Sequence, residues 1–324
     1  MNLGKVGIII GGGGFTGAFS VGDLKAIWEF GIKPKYIQGV SVGALNAAKI
    51  IESDDPEKLV QLWLAIEKNG ASSIFNWWDA TKNIVARKPG LFTNKGVSAI
   101  INSFNLQKII DSPIELQIAC RNESKNWRME IINSHEKRFR ENPELLGKFL
   151  FAATALQGGL DPVEINGEKY SDAIGFSLEA MVETGCDTIF LLLNEQADKD
   201  QDRWDQRLSK ARHILYDENV EFRLEKFLRE HKDFDVIFED EDDENENIPM
   251  IIKKMMSAVK SARSVITSAA RGNEINFAPH RIFPINTRTP ISTLYTYGYM
   301  RGDIKAATEQ GYDQTSTLLN KILK

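Results

Sequence analysis

Two glycine-rich junctions, each between a strand-like and a helix-like segment, limit what this chain can fold into. Val6 to Ile10 is a β-branched run broken only by Gly7, and it leads into Gly11-Gly12-Gly13-Gly14-Phe15-Thr16-Gly17. A stretch of helical spacing follows from Ala18 to Phe30, with Phe19, Leu24, Ile27 and Trp28 apolar and Gly31 as its stop. Tyr36-Ile37-Gln38-Gly39-Val40 repeats the move, running into Gly39-Val40-Ser41-Val42-Gly43 and a second helix from Val42 to Ser53. A β-α-β-α order with continuous apolar strands is the pattern of a parallel sheet covered by helices.

The remaining chain extends this plan. Pro56 to Asn69 reads as an amphipathic helix, Ile114 to Cys120 and Trp127 to Asn133 as a strand pair, and Pro143 to Leu156 as a helix. Val163 to Tyr170 alternates around Asn166-Gly167, the signature of a type I′ hairpin, and Asp172 follows at once. Ser177 to Thr184 reads as a helix, Asp187 to Leu193 as a buried strand, Arg281 to Ile285 as a last strand and Asp303 to Leu323 as a terminal helix containing Gly311. At 324 residues and 42% apolar, one large domain over 1–324 is expected, with a charged helical insertion at about 198–260. The acidic run Glu239 to Asn247 inside it lacks the glycine and spacing of a calcium loop and reads as a solvated surface.

Charge and cysteine content narrow the partners. A net charge of −5 argues against a nucleic-acid binder and against docking on anionic membrane by charge alone. Cys120 and Cys186 lie in apolar surroundings without metal-ligand spacing and read as buried thiols in a reducing compartment. The first apolar run is too short for a signal peptide, and no stretch approaches the roughly 18 apolar residues of a membrane span. A cytoplasmic protein is expected, touching membrane at most peripherally.

The chemistry-bearing residues lie at the two junctions. Gly-x-Ser-x-Gly between strand and helix makes a sharp, strained turn that pushes Ser41 out at the C-terminal edge of the sheet as a candidate nucleophile. The first loop has two readings. Gly12 to Gly17 fits a dinucleotide fingerprint, but no carboxylate ends the next strand to hold a ribose. Otherwise its backbone N–H groups face an oxyanion. A serine nucleophile needs a base. Of His135, His213, His231 and His280, only His280, beside the last strand, suits a triad; a carboxylate alone, Asp172, is the competitor.

The whole constellation resembles the patatin-like phospholipases. Gly90-Leu91-Phe92, Phe151-Ala152-Ala153-Thr154-Ala155 and Pro162 to Gly167 stand in the order expected of that family, over roughly residues 5–195. The resemblance implies a three-layer α/β/α sandwich with a mostly parallel sheet and a Ser–Asp dyad. Ser41 would be the nucleophile, Asp172 the base, and the N–H groups of Gly12, Gly13 and Gly14 the oxyanion hole. It further implies hydrolysis of a lipid acyl ester through an acyl-serine, with no cofactor and no metal. The partners would be the lipid substrate and a peripheral membrane surface, not nucleic acid. Three positions depart from the family pattern: Thr16 replaces a basic residue, Ala173 a glycine and Gln157 a proline. Phe75 to Trp78 is a candidate wall of the acyl channel. An α/β-hydrolase triad using His280 and a non-catalytic lipid- or nucleotide-binding relative stay open as alternatives.

Overall fold

The structure is a computed structural model that describes residues 2–74, 95–156, 159–173, 175–196, 234–236, 280–287 and 303–324. Its centre is β1 (Val6–Ile10), buried along its whole length and paired in parallel with β2 (Tyr36–Val40) and β7 (Thr188–Gln196). The sheet continues through β3 (Glu115–Asn122), β4 (Arg128–Asn133), β5 (Val163–Ile165), β6 (Glu168–Asp172), β8 (Phe234–Val236) and β9 (His280–Thr287). Its hydrogen-bonded path is β5-β6-β3-β2-β1-β7-β9-β8, with β4 also on β3. The pairs β3–β4, β3–β6 and β5–β6 are antiparallel and the others parallel, so the sheet is mostly parallel as expected.

Strand alternation divides the core into two layers. Ile8, Ile10, Ile37, Leu116, Ile118, Phe190 and Leu192 face a helical layer of α1 (Ala18–Glu29), α2 (Val42–Ser53), α3 (Pro56–Asn69) and α7 (Pro143–Thr154). Three shorter helices, α4 (Lys95–Asn102), α5 (Leu106–Ile110) and α6 (Lys137–Glu141), fill in around them. Ile9, Ile189, Leu191 and Leu193 face the other way, onto α8 (Leu178–Glu183). Each fully buried isoleucine contributes about 1.5–3 kcal/mol relative to an exposed one. Phe234–Val236 is a strand within the stretch expected to be a helical insertion; the rest of that stretch, the acidic run and the aromatic segment Phe75 to Trp78 lie outside the described residues. Among the described residues no helix is long and apolar enough to cross a membrane.

Strand β3 has only two edges, and their occupants decide where Asp172 goes. β4 runs along Gln117 to Asn122. β2 pairs with Glu115 to Ala119, and β6 pairs with Cys120 to Asn122, so β2 and β6 must share the opposite edge. β6 therefore fills the space above the end of β2. The hairpin that brings it there turns at Asn166 (φ 52°) and Gly167 (φ 80°), the left-handed pair a type I′ turn requires.

Polar bonds hold that hairpin. Glu168 accepts from the Tyr170 hydroxyl (2.8 Å) and Asn122 Nδ2 (2.8 Å), and pairs with Lys125 (2.9 Å). Those three partners, Lys125 first, pull the Glu168 carboxyl down to about 2. The Tyr170 ring packs edge-on against Phe149, 5.2 Å between centroids.

The terminal helix α9 (Asp303–Leu323) packs onto α1 at backbone distance. A Cβ on Gly22 would lie 2.0 Å from the Thr308 carbonyl oxygen, and one on Gly311 would lie 2.2 Å from that of Phe19. The buried Thr315 hydroxyl donates to Asp23 across the same contact (2.9 Å). Gly311, unfavourable inside an isolated helix, is explained by this approach.

Two predictions follow from the packing. Gly22→Ala gains about 1 kcal/mol of helix propensity, yet its methyl overlaps a carbonyl, which costs roughly 1–3 kcal/mol or more. The denaturation midpoint should fall; a rise would mean that propensity outweighs the clash. For Glu168 the folded pKa is lowered, so its stabilisation is complete above the model-peptide value of 4.5 and is lost as pH falls toward about 2. Glu168→Gln should lower the unfolding midpoint at pH 7, and the gap to wild type should close between pH 4.5 and 2.

Candidate active site

Ser41 stands between β2 and α2 with φ 53° and ψ −128°, a left-handed φ that a serine adopts only when its surroundings force it. The neighbouring glycines supply the force. A Cβ on Gly43 would lie 2.4 Å from the Ile10 carbonyl oxygen and 2.6 Å from that of Gly11. A Cβ on Gly39 would lie 2.4 Å from Ala44 Cα. Helix α2 can thus start directly on the end of β1, and the chain must turn sharply at Ser41 to reach it. Ser41 is the N-cap of α2, but its hydroxyl makes no capping bond.

The first glycine loop lies against this turn. The Gly11 N–H donates to the Leu192 carbonyl (2.9 Å), which extends the β1–β7 ladder one residue past β1. Alternation along a strand then turns the Gly12 N–H toward the β2 side, where Ser41 is. A Cβ on Gly12 would lie 3.0 Å from Ser41 Cβ and 3.8 Å from its Oγ. Gly13 (φ 128°) and Gly14 (φ 61°) bend the loop into α1. Thr16, where the family carries a basic residue, is buried, and its hydroxyl donates to the Gly13 carbonyl (2.9 Å). It ties the loop to itself and brings no charge.

Asp172 is 2% exposed and ends β6. Val40 pairs with Ala119, and Asp172 pairs with Cys120, the next residue of the same β3 edge. Asp172 therefore takes the register position that β2 vacates by turning away at Ser41. Ala173 packs with Val40 and Ala119 on one face of the sheet, so alternation puts Asp172 with Cys120 on the face of α2 and α7. Burial, then the charges of Asp172 and Glu130, push the Cys120 thiol well above its ordinary range. The Asp172 N–H donates to the Ala155 carbonyl at the end of α7 (3.0 Å), which gives the Phe151 to Ala155 motif a positioning role. Ala173 is not among the left-handed residues, and Arg121 Nη2 donates to its carbonyl (3.2 Å).

The two histidines among the described residues, His135 and His280, are elsewhere. His280 opens β9 one residue before Arg281, which is level with Thr188 and Val6 at the N-terminal edge of the parallel strands. Ser41 lies past the C-terminal edge, on the order of 20 Å away along strands that rise about 3.3 Å per residue. That register removes His280 from a triad with Ser41. His135 bonds the Ser112 carbonyl (3.0 Å) and Glu115 (3.2 Å) at the start of β3. His213 and His231 lie outside the described residues.

Beside Ser41 opens an apolar pocket of about 590 Å³, part of it open to solvent. Phe15, Val42, Leu45, Leu62, Trp63, Ile66, Ile74, Val97 and Ile100 line it, with Gly14, Asn46 and Thr154. Asn46 fixes its wall: it accepts from Trp63 Nε1 (2.8 Å) and donates to the Gly17 carbonyl (2.9 Å) and Ser20 Oγ (3.0 Å). Sequence reasoning looked for such a wall at Phe75 to Trp78 and missed this one. The signal lay in α3, where Leu59, Leu62, Trp63 and Ile66 share a face.

The chain is similar in sequence to several known proteins. Lysophospholipase NTE1 of Candida glabrata is 28% identical over 192 residues, 57% of this chain and 10% of that protein. The patatin-like phospholipase domain-containing protein ZK370.4 of Caenorhabditis elegans is 29% identical over 106 residues, 33% of this chain and 8% of its own length. Neuropathy target esterase sws of Drosophila melanogaster is 51% identical over 44 residues, 14% of this chain and 3% of its own. The chain thus matches a tenth or less of the length of each of these relatives. Among solved structures, VipD from Legionella pneumophila aligns with a TM-score of 0.45 at 14% identity, covering 99% of this chain and 67% of that one. The type III effector ExoU aligns with a TM-score of 0.38 at 10% identity, covering 99% and 54%. The family described as patatin-like phospholipase matches residues 8–174, a span that takes in the glycine loop, the Ser41 turn and Asp172. By that match, on a mostly parallel sheet with the motifs at its C-terminal edge, the chain belongs to the patatin-like phospholipase family.

Proposed function

We propose that this chain hydrolyses the acyl ester of a lipid through an acyl-serine, using Ser41 and Asp172 as a dyad. The observation that carries the reading is a strained serine, flanked by a glycine loop, at the head of an apolar pocket. Family membership supports the lipid class of the substrate. The activity of the much longer relatives enters only as analogy.

In the proposed reaction the Asp172 carboxylate takes the Ser41 proton as Oγ attacks the acyl carbonyl carbon. The carbonyl π pair moves onto oxygen, and the N–H groups of Gly12, Gly13 and Gly14 stabilise that oxyanion. The N-terminus of α2, with its uncapped amides, adds partial positive charge at the same place. Collapse of the tetrahedral intermediate breaks the ester C–O bond, and protonated Asp172 gives its proton to the leaving alcohol. Water then attacks the acyl-serine, with Asp172 as base again, and releases the fatty acid and Ser41. The acyl chain occupies the pocket walled by Trp63, where each buried methylene contributes about 0.8 kcal/mol. The lipid is met at a peripheral membrane surface, and the dyad steps call for no metal or cofactor.

Labelling with a fluorophosphonate, followed by peptide mass mapping, tests the nucleophile. The probe should attach at Ser41 in wild type and nowhere in Ser41→Ala. Asp172→Asn should lower kcat by about 10²–10⁴-fold. A folded wild type that never labels in the presence of lipid would support a non-catalytic binder instead. Trp63→Ala should reduce kcat/KM for a long-chain ester at least about tenfold more than for an acetyl ester, given the energy per methylene. Equal losses would remove the acyl chain from this pocket.

A further inference from the structure

We propose that Asn194 is a positioning residue for the oxyanion donors, holding the Gly11–Gly12 peptide so that its N–H faces the reacting carbonyl. The inference rests on the acyl-hydrolase reading above and extends it to a residue that never touches substrate.

Asn194 lies near the end of β7 and is 4% exposed. Its Nδ2 donates to the Gly11 carbonyl oxygen at 2.9 Å, a buried bond. A carbonyl can only accept, so the NH2 end of the amide must face Gly11, and the side-chain orientation is fixed. The Gly11 N–H is held on the same side by the Leu192 carbonyl (2.9 Å). Both polar groups of Gly11 are therefore bound to β7. In a trans peptide the C=O and the following N–H point in opposite directions. Holding the Gly11 oxygen on the β7 side turns the Gly12 N–H to the β2 side, beside Ser41.

This peptide needs an external restraint. It joins two of four consecutive glycines, so no side chain biases its rotation. Turned over, it would aim a carbonyl oxygen at the oxyanion in place of a donor. The Gly13 carbonyl has its own tie to Thr16, but the Gly11 carbonyl has Asn194. The Asn194 Cβ also lies 3.5 Å from where a Cβ on Gly13 would be, so the side chain braces the next residue of the loop.

Stability alone gives a weaker account of this amide. Asn194 Oδ1 is buried and has no hydrogen-bond partner among the described residues. An unsatisfied buried acceptor destabilises a fold. The strand before it is Leu191-Leu192-Leu193; an apolar side chain at 194 would remove that orphan but leave the buried Gly11 carbonyl without its donor, so what the amide adds is its hold on Gly11.

The test compares wild type, Asn194→Ala and Asn194→Asp with a p-nitrophenyl ester, with rates expressed per Ser41 labelled at the end point. Asn194→Ala should lower kcat about tenfold to a hundredfold with KM nearly unchanged, because the affected donor acts in the transition state. The rate of fluorophosphonate labelling should fall in parallel, since the phosphonyl oxygen enters the same hole. Asn194→Asp adds a readout that a structural role would not move. Its ionised carboxyl repels the Gly11 carbonyl, whereas its protonated form donates to it. The kcat ratio of this variant to wild type should therefore rise as pH falls through the new carboxyl's pKa. It also carries the test if Asn194→Ala does not fold. Unchanged kcat in both variants, or losses that follow melting temperature alone with a pH-independent ratio, would overturn the inference and leave the dyad standing. A wild type that neither turns over nor labels would overturn the dyad and this inference together.

Discussion

Everything at the site depends on how closely helix α2 approaches the end of strand β1. The Ile10 and Gly11 carbonyl oxygens lie where a side chain on Gly43 would begin, so only hydrogen fits there. That contact draws the first turn of α2 over the sheet edge. It leaves Ser41 no route from β2 except a left-handed φ. A residue held there costs of order 1–3 kcal/mol. The buried face of α2, with Ala44, Ala47, Ala48, Ile50 and Ile51 in the main core, offsets a cost of that size.

The same turn makes room for the carboxylate. Had β2 run one residue further, it would have paired with Cys120, and β6 could not have done so. β2 leaving the sheet at Ser41 and β6 reaching its end at Asp172 are two halves of one arrangement. The proposed nucleophile and base are thus set by backbone register, not by long side chains reaching across a cleft. The hairpin turn, the Glu168 cluster and the Asp172 N–H bond to Ala155 all act on where one carboxylate sits.

How much of this was legible in the sequence varied with the range of the forces involved. Local signals read well. The apolar runs of β1, β2 and β7 and the Asn166-Gly167 turn depend on near neighbours, and the structure matches them. The short helices α4, α5 and α6 were missed because five to eight residues hold too few turns for periodicity to show. Within the stretch read as helical and charged, β8 is a strand because β9 offers it an open edge, which only tertiary structure reveals. At the site, the glycines and Ser41 were readable since each has a conformational reason. The Trp63 wall left only the apolar face of α3 in the sequence, and Asn194 left no signal, because the pocket and the Gly11 bond arise from contacts between elements. His280 looked suitable beside a last strand, but only the strand's direction shows that it stands at the wrong edge of the sheet.

The strand order accounts for the site's location without reference to any relative. From β1 the chain builds outward through β2 and β3 with α1 and α2 on one face, then returns across the sheet to β7 with α8 on the other. The reversal opens a crevice between β1 and β7 at their C-terminal ends, where open α/β sheets bind ligands. The glycine loop fills one lip of that crevice, and the end of β7 forms the other. Groups on β7 are thereby set against the loop's carbonyl side, while its N–H side is left for β2. Ser41 could have been presented by the β2–α2 turn alone. In the proposed reaction the donors aimed at its substrate need the loop's peptides held from behind, which Asn194 of β7 does for the Gly11 carbonyl and Thr16 does for that of Gly13.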